Sequence, residues 1–442
     1  MSDAGADVLV VGAGPAGGAT AIACARAGVS TLLLEKSPTW PRTKPCGDGL
    51  TPRAVRALTK LGMADAMAQW HRVDGLIGYG IGGRPSADNW PIGIEDLPAT
   101  GYVVPRSLID AAIVARARQA GAQFMTGASV RQVLFDDRGR ACGVELADGR
   151  RLRAGVVVDA SGPSSRLGAQ AGMPRLEGLP MAVAVRGYLK AGPGCDLDPR
   201  QLHSWLALPD MDGVRLPGYG WIFPMGDGLF NVGVGQLSTS ASFRRTNYRE
   251  LLGYFVGGLP QEWGMTWVRD PRPAAKKRNG VAKLVAEPSG RPVVVGAALP
   301  MGIDRRVVYR RGVLLTGDAA GLVNPVNGEG VSYALESGLM AGEAIAEAAA
   351  APGGWGSAAS ELALQGYHHE LKAQLGGYFR LGRGFAKLIA HDAVMDFSLR
   401  RILPNQRIMR PVNRFMANLL FTEGGNWTDR TLRRLQRLAT AV

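Results

Sequence analysis

The chain has 442 residues, of which 46% are hydrophobic and 20% charged, so its composition is that of a folded protein long enough for two or three domains. Its four cysteines lie far apart without a CxxC pair, which argues against a zinc site and favours a reducing, cytoplasmic setting. The N-terminus has no basic leading segment and no stretch reaches about 18 consecutive apolar residues, so we expect neither a signal peptide nor a membrane span.

The first predicted unit binds a dinucleotide. The run DVLVVGAGPAGGATAIACARAGVSTLLLEK begins with a short buried strand, Val8 to Val11, followed by glycines at GxGxxG spacing and a helix of small residues. Gly12 permits a tight turn, Gly14 lets the backbone approach a pyrophosphate, and Gly17 lets the helix pack closely on the strand. Glu35 ends the second strand, where it can accept hydrogen bonds from a ribose 2′-hydroxyl. The residues assigned to the cofactor in this unit are Gly12, Gly14, Ala16, Gly17, Glu35 and Lys36.

The next feature is a loop that begins at Pro45 with the sequence PCGDG. It carries one thiol, Cys46, and one carboxylate, Asp48. Gly47 and Gly49 leave the backbone bare on either side of Asp48, so we expect another group to lie close against it.

An amphipathic helix is predicted directly after this loop. Thr51 is expected to cap its N-terminus, with Pro52 at the first helical position and Gly62 beyond its end. Its buried stripe is predicted to consist of Val55, Leu58 and Leu61.

Two further segments place a charged residue at the boundary of an element. Arg106 begins a predicted helix in GYVVPRSLIDAAIVARARQAGA. It is either a residue of the ligand site or a surface arginine at the start of the helix. The buried strand Val156 to Val158 ends in Asp159. An acidic residue at the carboxyl end of such a strand faces the edge where ligands of open α/β sheets bind.

A strand rich in aromatic residues is predicted within PGYGWIFPMGDGLFNVGVG. Tyr219, Trp221 and Phe223 alternate along it, so all three side chains point to one face. These side chains either face a ligand or pack in the core of a sheet, where aromatic strands are common.

A third buried strand, Val313 to Thr316, leads into Gly317 and Asp318. A loop rich in glycine and asparagine follows, and a long helix starts near Gly330. A helix that starts between Gly328 and Gly330 directs the positive end of its dipole towards the same sheet edge, which favours negative charge there.

The C-terminal part of the chain is basic. Residues 371–442 contain 13 Lys or Arg against 4 Asp or Glu, interleaved with apolar segments such as RFMANLLF. This pattern is typical of a protein that contacts an anionic membrane surface, with a solvated helical face as the alternative. No nucleic-acid-binding motif accompanies the charge, and the adjacent His368 and His369 cannot share one helix face. We therefore expect no nucleic acid and no metal ion.

The Gly12 to Glu35 unit, the Asp159 segment and the Gly317–Asp318 segment, in that order, resemble the FAD-binding signatures of flavoproteins of the para-hydroxybenzoate hydroxylase fold. This resemblance implies FAD as the cofactor. It also implies that Asp318 holds the ribityl chain and that Arg106 lies near the flavin. The cofactor residues that it adds are Arg106, Asp159, Gly317, Asp318, Gly328 and Gly330.

The loop KPCGDGLTPRAVRALTKLG and the aromatic strand resemble two signatures of the geranylgeranyl reductase family, whose members saturate double bonds in prenyl chains. In that family the loop passes alongside the flavin ring. This implies that Cys46 and Gly47 belong to the cofactor site, with Cys46 at the edge of the ring, while Asp48 occupies the variable position of the family loop. The resemblance makes Cys46, Tyr219 and Trp221 the candidate catalytic residues. The two aromatic rings would face positive charge that develops on the substrate. Cys46, Tyr219 or a flavin-bound water would supply the proton.

The substrate is implied by the same resemblance. Members of the family act on geranylgeranyl diphosphate, chlorophyll side chains, archaeal ether lipids or the prenyl tail of menaquinone. The chain most resembles the actinobacterial branch that reduces one isoprene unit of menaquinone. Only one full dinucleotide fingerprint is present, so the electron donor is expected to be NADPH, bound transiently, or a separate carrier. The alternatives are a reductase of geranylgeranyl diphosphate or another prenyl lipid, a flavin-dependent aromatic monooxygenase, and a flavin-carrying binding protein.

The predicted fold class is α/β. A discontinuous Rossmann-like FAD-binding domain is expected from residues 1–80, 101–180 and 290–355, and an antiparallel β-sheet substrate domain from residues 81–100 and 181–289. Residues 356–442 are expected to form a basic, helical C-terminal region. We expect a cytoplasmic protein that associates with the inner face of the cell membrane through this region.

Overall fold

Two large β-sheets organise the chain. The computed structural model describes residues 5–81, 85–94, 96–240, 242–273, 284–420 and 427–441. The first sheet has six strands and supports the dinucleotide-binding sequence, and the second has eight strands and carries the aromatic residues.

The six-stranded sheet is parallel except at one edge. Its central strand, Val8–Val11, is buried along its whole length, as expected for a sheet covered on both faces. The predicted strand Val313 to Thr316 ends one residue earlier, because Thr316 precedes a short 3₁₀ helix, Gly317–Ala320. The strands, in spatial order, are Tyr309–Arg310, Val313–Leu315, Val156–Asp159, Val8–Val11, Thr31–Leu34 and Gln123–Met125.

Two helices that pack against each other begin at the same edge of this sheet, Pro15–Arg26 and Val331–Ala350. Their close contact depends on glycine, because a Cβ on Gly338 would lie 2.4 Å from the carbonyl oxygen of Ala16. A Cβ on Gly342 would likewise lie 2.3 Å from the Cβ of Ala23. Small residues therefore bring the N-termini of both helices to one place, where their dipoles favour an anionic ligand.

The eight-stranded sheet is antiparallel except for one pair. Gln201–Trp205 and Gly75–Tyr79 run parallel, a pairing that the prediction of an antiparallel sheet did not include. In spatial order the strands are Thr266–Val268, Met181–Lys190, Leu229–Leu237, Gly218–Pro224, Gln201–Trp205, Gly75–Tyr79 and Ser86–Asn89, with Val295–Pro300 also paired to Met181–Lys190.

Two of these strands come from ranges that the sequence prediction gave to the cofactor domain. Gly75–Tyr79 lies within 1–80, and Val295–Pro300 lies within 290–355. Their partners, Gln201–Trp205 and Met181–Lys190, are more than 100 residues away along the chain. A local sequence pattern does not report such pairing, so the predicted boundaries placed both strands with the wrong sheet.

The C-terminal region is mainly helical over the residues that the structure describes. Leu403 contacts the eight-stranded sheet at Gly80, where a Cβ would lie 2.2 Å from the leucine side chain. None of the helices in the described part of the chain is both long enough and apolar enough to cross a membrane. The elements of this region are Ala358–Ile389, Asp392–Phe397, a π-helical turn Ser398–Ile402, Gln406–Met416 and Trp427–Ala441.

Smaller elements complete the fold. The remaining helices are Pro52–Lys60, Ala64–Met67, Arg106–Gln119, Leu167–Gln170, Tyr248–Gly257 and a 3₁₀ turn Gln261–Trp263. The remaining strands are Gly49–Leu50, His71–Val73, Gly101–Val103, Val130–Phe135, Ala141–Leu146, Arg151–Arg153, Leu208–Pro209, Arg215–Leu216, Arg272–Pro273 and Leu284–Val285.

Candidate active site

A cavity of about 430 Å³ lies between the two sheets and extends to the C-terminal helices. Residues from all three parts of the fold line it, so a ligand in the cavity would contact both sheets at once. The predicted site residues that line it are Gly14, Ala16, Cys46, Gly47, Arg106, Tyr219, Trp221, Asp318, Gly328 and Gly330. The predicted site residues that do not are Gly12, Gly17, Glu35, Lys36, Asp159 and Gly317.

Gly12 and Gly17 lie behind the cavity wall, in tight backbone packing. A Cβ on Gly17 would lie 1.9 Å from the carbonyl oxygen of Gly12, and a Cβ on Gly12 would lie 2.5 Å from that of Ala160. Gly317 has φ +54°, a conformation that favours glycine, and begins the turn that carries Asp318. These glycines shape the site without facing it.

The Glu35 carboxylate is already engaged by the protein. Oε2 accepts a hydrogen bond from the backbone N of Ala13 at 3.3 Å and pairs with Arg42 at 3.0 Å, and Oε1 accepts from the backbone N of Ser37 at 3.0 Å. Glu35 is 2% exposed, whereas Lys36 is exposed at the surface. In this structure Glu35 therefore braces the glycine turn.

Asp159 is also turned away from the cavity. Its Oδ1 accepts hydrogen bonds from the backbone N and the hydroxyl of Ser161, at 3.2 and 2.6 Å, and its Oδ2 accepts one from the hydroxyl of Ser165. These bonds fold the loop that presents Ala160 and Gly162 to the cavity. The position of Asp159 fits a residue that orients the binding loop.

The lining of the cavity on this side fits FAD. Space is open in front of Gly14, where a Cβ would lie 3.7 Å from an Arg42 nitrogen and 3.8 Å from an Arg106 nitrogen. Two guanidinium groups beside the start of a helix that has no side-chain cap suit a diphosphate. The carboxylate of Asp318 has no hydrogen-bond partner among the described residues and can accept bonds from the ribityl hydroxyls.

Arg106 is a buried residue, so the alternative of a surface arginine is wrong. Its guanidinium makes a bidentate ion pair with Asp110, with nitrogen–oxygen distances of 3.0–3.2 Å. The same carboxylate pairs with Arg42 at 3.2 Å. Asp110, which is fully buried, thus fixes both cations beside Gly14. The sequence analysis did not identify Asp110, although its spacing of four residues from Arg106 on a helix is a signal for such a pair.

Asp48 lies at the centre of a buried hydrogen-bond network. It is fully buried with φ +63°, a strained conformation for a residue other than glycine. Its Oδ1 accepts from the backbone N of Arg106 at 3.0 Å, and its Oδ2 accepts from the hydroxyl of Tyr188 at 2.6 Å and from the amide of Asn231 at 2.8 Å. One carboxylate therefore joins the Cys46 loop to a helix start and to two strands of the other sheet.

Asn231 extends this network to the candidate catalytic residues. Its amide nitrogen also donates to the carbonyl oxygen of Cys46 at 2.9 Å, and its Oδ1 accepts from the indole N–H of Trp221 at 2.8 Å. The loop and the indole ring are thus held by one amide. The sequence places Asn231 on a strand but gives no sign of this role.

Cys46 presents a neutral thiol to the cavity. Its Sγ accepts a hydrogen bond from the backbone N of Asp48 at 3.3 Å. Burial raises the pKa of the thiol, and the nearby Arg106 offsets this only in part.

Three aromatic side chains of the strand Gly218–Pro224 line the same cavity. Trp221 covers Gly233, where a Cβ would lie 2.1 Å from the indole ring, and Phe223 lies 3.3 Å from the position of a Cβ on Gly49. The glycines of the Cys46 loop therefore make room for Phe223 and Trp221, whereas the approach of a flavin ring stays a prediction. The hydroxyl of Tyr219 donates to the carbonyl oxygen of Asn327 at 2.6 Å, and burial raises the pKa of Tyr219 to about 12.

Thr51 does not cap its helix, which corrects the prediction. It occupies the N-cap position with Pro52 after it, but its hydroxyl donates to Oε1 of Glu329 at 2.7 Å. The hydrogen bond to Glu329, from a distant loop, sets the orientation of that hydroxyl. Glu329 lines the cavity and was not identified from the sequence.

The sequence pattern predicts that the adjacent His368 and His369 are surface residues, and the structure agrees for only one of them. His369 is exposed, but His368 is partly buried and its Nδ1 accepts from the backbone N of Val308 at 3.4 Å. Within the described ranges no three His, Cys, Asp or Glu side chains form a group that could hold a metal ion.

Comparison with known proteins gives three findings. Residues 5–247 match the family model described as FAD binding domain. The chain is 36% identical over 440 residues to a menaquinone reductase of Mycobacterium tuberculosis, which covers 98% of this chain and 95% of that protein. It is 34% identical over 348 residues to digeranylgeranylglycerophospholipid reductase 1 of Methanopyrus kandleri, which covers 77% of this chain and 80% of that protein.

A solved structure shares the fold. The crystal structure of a geranylgeranyl bacteriochlorophyll reductase-like protein from Thermoplasma acidophilum matches with a TM-score of 0.73 and 22% identity, over 98% of this chain and 99% of that one. The similarity to the mycobacterial protein extends through the C-terminal helices, where the sequence analysis found no motif.

Proposed function

The chain belongs to the family of FAD-binding reductases that includes the menaquinone reductases, and from this membership we propose that it saturates one isoprene double bond in the prenyl tail of menaquinone. It is an FAD-dependent oxidoreductase of prenyl chains. The finer assignment, menaquinone, is supported by the 36% identity to a menaquinone reductase over nearly the whole chain.

The observation that carries the proposal is the continuity of the cavity. At one end it is lined by residues that fit FAD, and at the other by apolar side chains of the C-terminal helices. An extended hydrocarbon chain suits a cavity whose walls are apolar. The apolar end is lined by Phe385, Ile389, Met395, Leu399, Ile402, Leu403, Met409 and Val412.

The reduction of an isolated prenyl double bond requires a hydride, a proton and an environment that tolerates positive charge on the substrate. Reduced FAD supplies the hydride when it is bound. Trp221 and Tyr219 then stabilise charge on the substrate through the faces of their rings, in positions set by Asn231 and by the carbonyl oxygen of Asn327. The apolar walls exclude water that would otherwise capture the charged carbon.

Association with a membrane surface is part of the proposal, because the substrate is a lipid. The C-terminal helices expose large apolar side chains, with Phe397 60% and Trp427 72% exposed. Arg400, Arg401 and Arg407 are exposed on the two helical segments that follow Phe397, Ser398–Ile402 and Gln406–Met416. Apolar side chains flanked by arginines suit an anionic bilayer surface. NADPH and a separate carrier both remain as candidate electron donors.

The experiment uses the FAD-loaded protein without oxygen. Its flavin is reduced and menaquinone is added. The mixture is then re-oxidised in air, and the molecular mass of the lipid is measured by mass spectrometry. A quinone head that takes up two hydrogens loses them again in air, so a surviving gain of two hydrogens lies in the prenyl tail and supports the proposal. A prenyl tail that gains no hydrogen would contradict the proposal.

A second candidate substrate follows from the archaeal relative. That protein is named a digeranylgeranylglycerophospholipid reductase, and its similarity covers 77% of this chain. A digeranylgeranyl lipid and geranylgeranyl diphosphate are therefore the next substrates in the same assay. The monooxygenase alternative would be supported instead by rapid, oxygen-dependent consumption of NADPH together with an aromatic product that gains one oxygen atom.

A further inference from the structure

The cavity contains a carboxyl group whose chemistry the proposed function does not yet use. Glu329 lies in the loop before the helix Val331–Ala350 and contributes to the cavity wall, as Tyr219 does. The loop is fixed by two hydrogen bonds, from the backbone N of Glu329 to Oδ1 of Asn327 at 2.9 Å and from the backbone N of Asn324 to the carbonyl oxygen of Glu329 at 2.8 Å. The Glu329 side chain therefore starts from a defined position.

The two oxygens of this carboxyl group have different surroundings. Oε1 accepts hydrogen bonds from the hydroxyls of Thr51 and Ser332, both at 2.7 Å. Oε2 is buried and has no hydrogen-bond partner among the residues that the structure describes. A buried anionic oxygen without a donor is costly, whereas a carboxylic acid with its proton on Oε2 is neutral. The arrangement fits a protonated Glu329 whose acidic hydrogen meets no acceptor within the described protein.

Burial, rather than the neighbouring charges, opposes the ionised form of Glu329. Arg53 faces it, but the guanidinium of Arg53 pairs with Glu336 at 2.6 Å. Burial is the largest influence and raises the pKa of Glu329, and Glu336 raises it further. The groups that lower the pKa in part are Ser332, Thr51 and Arg53. The other titratable side chains that interact with Glu329 are Tyr219, Tyr333 and Tyr378.

We propose that Glu329 is the proton donor to the prenyl double bond, an assignment that rests on the proposed function. The π bond breaks as one carbon accepts a hydride, which reduced FAD supplies, and the π electron pair captures the proton from Oε2 at the other carbon. Two C–H bonds form and the O–H bond of Glu329 breaks. The resulting carboxylate keeps its bonds from Thr51 and Ser332 and is reprotonated from water once the product leaves.

The other candidate donors are less available. The hydroxyl hydrogen of Tyr219 already has an acceptor in the carbonyl oxygen of Asn327. The thiol of Cys46 is held on its loop by the backbone N of Asp48, and burial makes it a weaker acid than a free thiol. A general acid of this kind contributes about 10²–10⁴-fold to a rate.

The test compares Glu329→Gln, which keeps the size and the acceptor oxygen of the side chain, with Glu347→Gln, an exposed position on the following helix. In single turnovers of the FAD-loaded protein we expect Glu329→Gln to reduce the menaquinone tail at least about 100-fold more slowly, and Glu347→Gln to match the unaltered protein. Flavin reduction by dithionite and menaquinone binding should be the same in all three. An unaltered rate in Glu329→Gln overturns the assignment.

Two readouts separate an acid from a structural role. The rate of tail reduction should fall as the pH rises through the pKa of Glu329, because only the protonated form donates. Thr51→Val removes a hydrogen bond that stabilises the carboxylate, so it should shift this fall in the pH–rate profile to higher pH. Infrared spectra at neutral pH should show a protonated-carboxyl band that Glu329→Gln removes and Glu347→Gln keeps. The assignment is contradicted if Thr51→Val leaves the pH–rate profile unchanged, or if the protonated-carboxyl band persists in Glu329→Gln.

The same assays distinguish a failure of the proposed function from a failure of the Glu329 assignment. If the unaltered protein leaves the tails of menaquinone and of the other prenyl lipids unreduced, the proposed function is wrong and the proton donor with it. If the unaltered protein reduces a tail and Glu329→Gln does so equally fast, only the assignment of Glu329 is wrong.

Discussion

The indole N–H of Trp221 lies 2.8 Å from Oδ1 of Asn231, the same side chain whose amide nitrogen contacts the Asp48 carboxylate at 2.8 Å. The orientation of a ring that faces the substrate cavity therefore depends on a carboxylate of the Cys46 loop. Asp48 is fully buried, so its hydrogen bonds are protected from water.

Asp48→Asn should lower the free energy of unfolding by about 1–3 kcal/mol, because an amide cannot accept all three hydrogen bonds that the carboxylate accepts. Urea denaturation of the FAD-loaded protein measures the change. Asp137→Asn, on an exposed turn, is the matched control and should leave the free energy of unfolding unchanged. Equal stability of the two variants would show that the network contributes nothing to folding.

Trp221→Leu should slow the reduction of the prenyl double bond by up to about 30-fold, since a ring facing a developing cation contributes about 0.5–2 kcal/mol. The lipid should still bind, because leucine keeps the wall apolar. Single-turnover rates and lipid titrations separate the two effects. Trp427→Leu, at a position that is 72% exposed, is the control for loss of a tryptophan elsewhere. A loss of lipid binding without a slower reaction would contradict a role for the ring in the transition state.

Gly235→Leu should obstruct the cavity without disturbing the sheet. A Cβ at Gly235 would make ordinary contacts, 3.7–3.8 Å from Ala184, Val183 and Trp221, and the residue lines the cavity. We expect a weaker affinity for menaquinone with an unchanged FAD content. Gly253→Leu, where a Cβ meets nothing within 4 Å, is the control. Unchanged lipid affinity in Gly235→Leu would place the lipid elsewhere.

Asp318→Ala should weaken FAD binding by roughly 10- to 150-fold, because a hydrogen bond to a charged group contributes about 1.5–3 kcal/mol. Titration of the apoprotein with FAD, followed by flavin fluorescence, gives the dissociation constant. Asp137→Ala should bind FAD as the unaltered protein does. An Asp318→Ala variant with full affinity would mean that the carboxylate does not contact the cofactor.

Acidification should destabilise the protein through His203. Its Nδ1 accepts from the hydroxyl of Tyr79 at 2.9 Å and its Nε2 donates to the carbonyl oxygen of Asp198 at 2.9 Å, so both nitrogens are satisfied in the neutral ring. Burial lowers the pKa of His203. The unfolded chain therefore takes up a proton more readily than the folded one, and stability is lost as the pH falls below about 6.5 towards the folded pKa.

The measurement is the free energy of unfolding at pH 7 and pH 5 for the unaltered protein, His203→Gln and the exposed His369→Gln. The loss on acidification should be smaller in His203→Gln than in the other two proteins. An identical loss in all three would assign the acid sensitivity to other groups.

The residues that the sequence could predict are those that function through the backbone or through a local motif. Gly14 and Asp318 each follow a buried strand in a recognisable signature, and both line the cavity. Asp48 and Glu329 could not be predicted in this way. Their partners Asn231 and Thr51 lie 183 and 278 residues away. A side chain whose surroundings come from a distant strand or loop carries no local signal of its burial.

The same limit explains the corrections. Thr51 has the residue type and position of a helix cap, yet its side chain makes no capping hydrogen bond, and its hydroxyl donates to Glu329 from another part of the chain. Strand Gly75–Tyr79 pairs with Gln201–Trp205 across a long crossover that only the folded chain reveals.

The C-terminal helices complete the cavity, and this has a consequence for the order in which the protein is made. During synthesis the strand that carries Tyr219 and Trp221 leaves the ribosome well before the segment 385–419 that covers it. Until that segment docks at Gly80, an apolar trough faces water, and aggregation competes with folding. The nascent chain is therefore most exposed to aggregation after the strands of both sheets have been made and before residues 385–419 dock.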